Sequence, residues 1–291
     1  MVDIEKLIAN PKKTFKINEH KPEYTGKYDK KEAKTKLKQN TKELSELQYT
    51  FYADDSYSLL IVLQAMDAAG KDGAIRHVMS GINPQGCNIH SFKSPSKNEL
   101  DHDFLWRHYK ALPQRGKIGI FNRSHYENVL VTKVHPEYIL GEQLPNIDTL
   151  DKIDNKFWNN RYEQINNFEK TISQNGTVIL KFFLNVSKEE QKRRFLDRIN
   201  EPDKNWKFSM GDIKERKLWD KYQKSFEEAI NKTSTEYAPW YIIPADNKWY
   251  SRMAISDIII DKLKSLNLKI PKLPKNEIAD LEKAKQMLLN E

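Results

Sequence analysis

Five apolar runs, separated by longer segments with helical periodicity, set the pattern of this 291-residue chain. The two strongest runs cover residues 58–64 and 177–186, and weaker runs cover 87–93, 117–122 and 240–245. Short apolar runs bounded by polar residues predict buried strands. Because predicted helices intervene between them, the pattern favours an α/β fold with a five-stranded parallel sheet sandwiched by helices.

The segments between the runs predict the helices, and capping signals mark two of their starts. Ser187-x-x-Glu190 is a capping-box signature, and Ser209-x-x-Asp212 resembles it. The predicted helices cover residues 29–49, 73–80, 99–112, 151–174, the segment after Ser187, 209–231 and 248–266, with a short charged helix after Pro271. The resulting division is an N-terminal helical extension (1–50), a main α/β domain (51–270) and a C-terminal tail (271–291).

The net charge of the chain indicates a class of binding partner. The chain carries a formal net charge of +8, a pI near 9.1 and a mean hydropathy of −0.79. A basic excess suggests an anionic partner, and nucleic acid, anionic lipid and a phosphate-rich substrate all fit it.

Cysteine usage and hydropathy indicate the cellular compartment of the protein. Cys87 is the single cysteine, which excludes an internal disulfide framework. The polar N-terminus shows no secretory signal, and no apolar run approaches the roughly 18 residues that a membrane span needs. We therefore expect a cytoplasmic protein that has no membrane partner.

The segment after the first predicted strand carries the most specific chemistry. It reads Ala65-Met-Asp-Ala-Ala-Gly-Lys-Asp-Gly73 and precedes a predicted helix. A helix N-terminus presents unpaired N–H groups to an anion, and the lysine adds a positive charge that can follow a phosphoryl group. The candidate phosphate- or nucleotide-binding residues in this loop are Ala68, Ala69, Gly70, Asp72 and Gly73, with Lys71 as a catalytic residue.

This loop departs from the G-x-x-x-x-G-K-[ST] motif at two positions. Ala65 stands where the first glycine belongs, and Asp72 stands where the metal-binding Ser or Thr belongs. Asp67 adds a carboxylate that repels phosphates unless it holds a metal ion between them, so it is a candidate metal ligand. The alternative interpretation is an ordinary strand-to-helix turn with a surface lysine.

A second polar group follows the third predicted strand. Asn122, Arg123 and Glu127 are candidates there, since the end of this strand supplies polar residues near the metal in phosphate-loop enzymes. Arg123 has the geometry to bridge phosphates with two parallel hydrogen bonds. Alternatively, Ser124 and Glu127 form a helix-capping box.

Two arginines and a lysine complete the candidate set. Arg194 and Arg198 are four residues apart, hence on one helix face, and could neutralise charge during phosphoryl transfer. A solvated basic face is the alternative. Lys207, beside Trp206, lies in a connection that fits either a lid over a substrate or an ordinary loop anchored by the tryptophan.

Taken in order, these blocks resemble family-2 polyphosphate kinases over roughly residues 30–267. The blocks that carry the resemblance are Met66–Gly73, Gly81–Gly86, Asp101–Arg107, Phe121–Glu127, Arg194–Arg198 and Trp206–Phe208. The resemblance implies a P-loop kinase-like (thymidylate-kinase-like) fold with a helical lid around residues 190–225. It also implies transfer of a phosphoryl group between polyphosphate and AMP or ADP, in either direction.

The resemblance further implies roles for individual residues and a Mg²⁺ (or Mn²⁺) cofactor. Asp67, Lys71 and Arg123 are the catalytic residues: Asp67 orients the metal and the acceptor phosphate, and Lys71 and Arg123 hold phosphates. Asp67 and Glu127 are the metal ligands. Arg194 and Arg198 belong to the lid region, and these two arginines, Lys207 and Asn122 are further candidates for binding phosphate or nucleotide. Adenine and guanine nucleotides are the implied partners, nucleic acid is not, and a homo-oligomer (dimer or tetramer) is expected.

Three departures from the family pattern are visible. Ala65 replaces a frequent glycine, Asn122 replaces a frequent aspartate, and Asn128 replaces the aspartate that often follows the glutamate. Asn122 with His-Tyr-Glu127 resembles the subgroup that acts on both nucleoside mono- and diphosphates. Two other functions remain open, an ATP-dependent nucleotide kinase of the same fold and a non-catalytic nucleic-acid-binding protein.

Overall fold

A computed structural model describes the backbone of residues 1–291 and the side chains of all but residues 275 and 276. Five strands form one sheet in the order β2-β3-β1-β4-β5, and every neighbouring pair is parallel. The strands are β1 Ser58–Gln64, β2 Cys87–Ser91, β3 Ile118–Asn122, β4 Thr177–Asn185 and β5 Trp240–Pro244. The prediction of a five-stranded parallel α/β sheet is confirmed.

Helices cover both faces of this sheet. They are α1 Lys30–Asp54, α2 Lys71–Val78, α3 Lys97–Leu100, α4 Trp106–Tyr109, α5 Glu127–Val134, α6 Glu137–Leu140, α7 Asn155–Gln174, α8 Lys188–Asn200, α9 Met210–Lys217, α10 Trp219–Thr233, α11 Lys248–Ser265 and α12 Lys275–Leu289. All seven residues of β1 are buried, as expected for the central strand of a sheet covered on both faces. Among the residues described, no helix combines the length and apolar character that a bilayer crossing requires.

Two long helices predicted from periodicity are each broken in the structure. The predicted helix 99–112 is two single turns, α3 and α4, because the carboxylate of Asp103 accepts a hydrogen bond from the Leu105 N–H and makes a local turn. The predicted helix 209–231 is divided at Leu218 into α9 and α10. Periodicity continues across both breaks, so it does not reveal them.

The start of α7 also differs from the prediction. The helix begins at Asn155 rather than at residue 151, since the Asp154 carboxylate caps the Phe157 N–H at 2.8 Å. A helix after Ser124 followed only from the alternative capping-box interpretation, and the structure has one over Glu127–Val134.

The N-terminal residues are held by the edge of the sheet. Ile8 bridges Tyr241 of β5, and the Ala9 N–H donates to the Trp240 carbonyl. Helix α1 extends to Asp54, four residues past the predicted boundary of the extension, and packs along α11.

Candidate active site

The loop after β1 lies at the centre of the sheet's carboxyl edge, between the elements that follow β3 and β4. Its backbone is tightly turned, with Ala68 at φ 62° and Gly70 at φ 112°. The Gly70 conformation is one that residues with a Cβ rarely adopt, which explains the glycine at this position. Gly70 is also the N-cap of α2, so the unpaired N–H groups of that helix begin in the loop.

Lys71 folds back over the loop. Its Nζ donates to the Ala65 carbonyl at 2.9 Å, leaving two N–H donors for an anion. Burial lowers the pKa of Lys71, and the nearby Asp67 carboxylate partly opposes the shift. A phosphate bound beside this amine favours its charged form, so Lys71 is placed to hold a phosphoryl group.

Asp67 and Arg123 meet across the site. The Arg123 Nη2 lies 3.1 Å from Asp67 Oδ1, and its Nη1 lies 3.9 Å from Glu127 Oε2. Arg123 occupies the left-handed region at φ 63°, directly after β3, and its N–H donates to the Leu63 carbonyl. Burial raises the pKa of Glu127, while Arg123 and Lys71 oppose that rise. The structure thus brings the three predicted catalytic residues and Glu127 together.

Asn122 and Asp72 are also adjacent. The Asn122 Nδ2 donates to Asp72 Oδ1 at 2.8 Å. The Asn122 Oδ1 is buried and has no hydrogen-bond partner among the described side chains and backbone. An amide oxygen without a partner at this point is available to a cation or to a donor on a ligand.

The predicted capping box at Ser124 is wrong. Helix α5 begins at Glu127 with Tyr126 as its N-cap, and no side chain caps it. The Ser124 Oγ accepts from the Tyr126 N–H and from Gln64 Nε2. At Ser187 the capping box is half formed, since its Oγ accepts from the Glu190 N–H while its own N–H donates to Asp246.

Arg194, on the helix that follows β4, binds the backbone of the loop after β1. Its side chain is 3% exposed and its five N–H groups all have acceptors. The acceptors are Glu190 Oε1, the carbonyls of Ala68 and Ala69, and the carbonyls of Ala245 and Asp246. Phosphate binding by Arg194 stays a prediction, and in this conformation its donors hold loop carbonyls.

Gln191, one helical turn before, was missed by the sequence reasoning. Its Nε2 donates to the Asp67 carbonyl at 2.9 Å, so α8 fixes the loop at a second point. No signal in the sequence distinguishes a glutamine that contacts backbone from one in solvent.

Of the two remaining residues predicted in the lid region, Arg198 lies in the site and Lys207 lies outside it. Arg198 pairs with Asp212 of α9 at 3.2 Å, and burial and the Asp67 charge raise the pKa of that carboxyl. Asp212, taken from the sequence as a helix-start residue, therefore faces the site. Lys207 lies over the Trp206 ring at 4.8 Å, and Trp206 is 78% exposed. The structure does not bring Lys207 into contact with the loop.

A cavity of about 550 Å³ adjoins the loop on the side of β2 and β3. Arg123 and Glu127 lie on its wall next to the phosphate loop. The other lining residues are Lys93, Ser94, Pro95, Glu99, Leu100, His102, Phe104, Arg107, Asn128, Val131, Thr132, Glu137, Tyr138, Gly141 and Glu142. Most of these side chains are polar or charged, while Leu100, Phe104 and Val131 provide an apolar surface against which part of a small organic ligand can pack.

A basic cluster, which we define as Arg76, Lys248 and Arg252, adjoins the loop on the side of β4 and β5. An added Cβ at Gly73 in α2 would lie 3.3 Å from the Arg252 Nη2. Partial burial lowers the pKa of Lys248 to about 8, and Arg194 shifts it in the same direction. Burial and Arg76 lower the pKa of Arg252. The described residues include no carboxylate within ion-pair distance of these three cations. Lys248 and Arg252 are four residues apart on α11, but the sequence reasoning missed the cluster because Arg76, on α2, lies far from them in the chain.

The strand order, the central loop and the helix that it caps define the P-loop kinase-like class. The family model of Polyphosphate kinase 2 (PPK2) matches residues 27–271. An ADP-polyphosphate phosphotransferase of Rhodopseudomonas palustris is 49% identical over 253 residues, covering 87% of this chain and 86% of its own. An AMP/ADP-polyphosphate phosphotransferase of Meiothermus ruber is 42% identical over 92% of this chain and 96% of its own.

A solved structure gives the same result. The crystal structure of Polyphosphate Kinase 2 from Arthrobacter aurescens superposes with a TM-score of 0.86 at 38% identity, covering 96% of both chains. The chain belongs to the Polyphosphate kinase 2 family. The family resemblance and the P-loop kinase-like fold expected from the sequence are both confirmed.

Proposed function

We propose that this protein is a cytoplasmic, homo-oligomeric phosphotransferase that moves a phosphoryl group between polyphosphate and AMP or ADP. One observation carries the proposal: the loop that holds Lys71 lies between a cavity and a cluster of three cations that have no ion-pair partner among the described residues. The names of the relatives, which refer to AMP, ADP and polyphosphate, support the same reaction.

The cavity fits the acceptor nucleotide. Its volume suits a nucleoside, with Leu100, Phe104 and Val131 as an apolar surface for the base. Arg123 at its inner end reaches toward the loop, where the acceptor phosphate has to arrive. Its walls carry four glutamates (Glu99, Glu127, Glu137 and Glu142) against three cations (Lys93, Arg107 and Arg123), so it is less suited to a polyanion than the basic cluster is. We therefore place the base and ribose in the cavity.

The basic cluster fits the polyphosphate donor. A polyanion gains most where several cations lack acidic partners, since no ion pair has to be broken on binding. Arg76, Lys248 and Arg252 meet this condition next to the N-terminus of α2. This arrangement brings the two substrates to the loop from opposite directions, and an in-line transfer requires them on opposite faces of the transferred phosphoryl group.

Catalysis then depends on positioning and charge neutralisation, which carry phosphoryl transfer in general. Lys71 and the N–H groups of α2 hold the transferred phosphoryl group, and Arg123 holds the acceptor phosphate. Arg194 and Gln191 keep the loop in place through its carbonyl oxygens.

The residues present fit a divalent cation. The Asp67 carboxylate is 30% exposed, and the buried Asn122 Oδ1 has no partner within the described part of the chain. Among the described side chains no three His, Cys, Asp or Glu residues form a metal cage, and Mg²⁺ ordinarily uses one or two carboxylates with substrate phosphates. Asp67, with Asn122 and Glu127 near it, would hold the ion, which supplies neutralisation of phosphate charge.

An assay without ATP tests the proposal. The protein is incubated with Mg²⁺, polyphosphate and, in parallel, AMP, ADP, GMP or GDP, and the nucleotides are separated. We expect nucleoside di- and triphosphates to appear. Product formation that requires ATP would support the alternative nucleotide kinase, whereas salt-dependent DNA binding without turnover would support the nucleic-acid alternative.

Lys248 makes the donor affinity dependent on pH. Its pKa of about 8 means that it carries charge below that pH and loses it above, so polyphosphate affinity should weaken as pH rises. We expect the KM for polyphosphate to rise about fivefold between about pH 7 and about pH 9, the effect of one unit charge at close range in water. Lys248→Arg should flatten the profile, and a profile unchanged by this substitution would contradict the assignment.

A further inference from the structure

A fully buried network of ionisable side chains lies beneath the site. The Lys181 Nζ has three acceptors: Glu169 Oε2 at 2.6 Å, the Thr233 carbonyl at 2.7 Å and the Tyr126 hydroxyl at 2.9 Å. The Tyr126 hydroxyl donates to Glu169 Oε1 at 2.8 Å, and His125 Nε2 lies 3.2 Å from the same oxygen. Lys181, Glu169, His125 and Tyr126 are all less than 1% exposed.

The protonation states in this network follow from burial and pairing. Burial by itself would raise the pKa of Glu169, but Lys181 and His125 outweigh it and the pKa is lowered, so the carboxylate is ionised. The His125 Nε2 faces Glu169 Oε1 at 3.2 Å, and its Nδ1 has no partner in the described structure, which places a proton on Nε2.

The network holds the segment between two site residues. Arg123 and Glu127 face the phosphate loop and the cavity, whereas Ser124, His125 and Tyr126 between them are buried completely. Arg123 keeps a left-handed backbone conformation, which persists only where the surroundings enforce it. Two of the three residues that anchor this turn are bonded to Glu169, on α7.

We propose that Glu169 and Lys181 are positioning residues that set the place of Arg123 and Glu127 through His125 and Tyr126. The ion pair joins β4 and α7 to the turn after β3, and through Thr233 to the end of α10. Glu169 and Lys181 themselves lie in the core and have no contact with the loop. The activity part of the test rests on the proposed function.

The test replaces the pair by apolar residues of similar volume. Such replacements avoid an unpaired buried charge, so Glu169→Met combined with Lys181→Met should fold, with a lower stability because His125, Tyr126 and the Thr233 carbonyl lose hydrogen-bond partners. The variant removes the only acceptor of the His125 proton in the described structure and the acceptor of the Tyr126 hydroxyl. We expect kcat to fall about ten- to a hundredfold, the scale of a small misplacement of reacting groups. The KM for polyphosphate should stay within about twofold, because the donor cluster is on the other side of the sheet.

Two further variants keep the proposal falsifiable. Tyr126→Phe removes one hydroxyl and keeps the ring against Trp240, so it should fold and lower kcat by a smaller factor. Asp257→Asn is the matched control, a buried carboxylate bonded to Val2 and Asn40, and it should lower stability without changing kcat. A kcat near the wild-type value in the folded Met/Met variant would overturn the proposal.

Hydrogen–deuterium exchange gives a readout that does not depend on activity. Amides of residues 122–128 should exchange faster in the Met/Met variant than in wild type or Asp257→Asn, while the core strands remain protected. Unchanged exchange in this turn would also overturn the proposal. If wild-type protein lacks polyphosphate-dependent activity, the proposed function fails, and the exchange result still decides the positioning role.

Discussion

Lys71→Ala should abolish phosphoryl transfer while the protein stays folded. The amine holds the loop through the Ala65 carbonyl and is a half-buried cation at the start of α2. Removing a preorganised charge at the site of transfer costs on the order of 10³-fold in kcat, or about 4 kcal/mol. Activity is measured with AMP and polyphosphate, and folding by circular dichroism.

Asp67→Ala should have a comparable effect through a different loss. Its carboxylate pairs with Arg123 at 3.1 Å and is the predicted metal ligand, so the alanine variant should lose Mg²⁺-dependent activity. Lys31→Ala, an exposed lysine on α1, is the control and should behave as wild type. Full activity of either site variant would contradict the site assignment.

Arg194→Ala should lose stability as well as activity. The substitution leaves Glu190 and four carbonyls without the donors that Arg194 gives them. Breaking a buried charge pair of this kind lowers the free energy of unfolding by about 3–5 kcal/mol. Urea titration measures that loss. The kcat is measured at low temperature, where the variant stays folded, and reports the effect of displacing the loop.

Arg193→Ala is a matched control for Arg194→Ala. The two arginines are adjacent and bind the same Glu190, but the Arg193 side chain is 58% exposed. An exposed pair contributes about 0–1 kcal/mol, so the control should be nearly neutral. Arg194→Ala could instead keep wild-type stability and lose only activity. That result would favour the predicted phosphate-binding role over a role in holding the loop carbonyls.

The parts of the site that sequence could predict are those carried by local patterns. Gly70 and Lys71 follow an apolar strand directly, and Arg123 follows another, so parallel pairing brings them to one edge of the sheet. The order of the strands was not predictable from these patterns. It is set by which faces pack together over long sequence distances.

Residues whose contacts are distant in the chain were assigned less well. The sequence left two interpretations of Arg194, a phosphate-binding residue or part of a solvated basic face. In the structure it is 3% exposed and bonded to backbone more than 120 residues earlier in the chain. Helical periodicity likewise continued through Leu218, where the structure changes from α9 to α10. In both cases the local sequence is compatible with two states, and packing selects one.

The sequence by itself determined the α/β class, the phosphate loop and the family, because each of these depends on residues that are contiguous in the chain. Only the tertiary structure decided what surrounds that loop: the cavity, the basic cluster of Arg76, Lys248 and Arg252, and the buried anchor of Glu169 and Lys181. These features join residues from different elements. Their charges become partners, or remain without one, only when the folded chain brings them together.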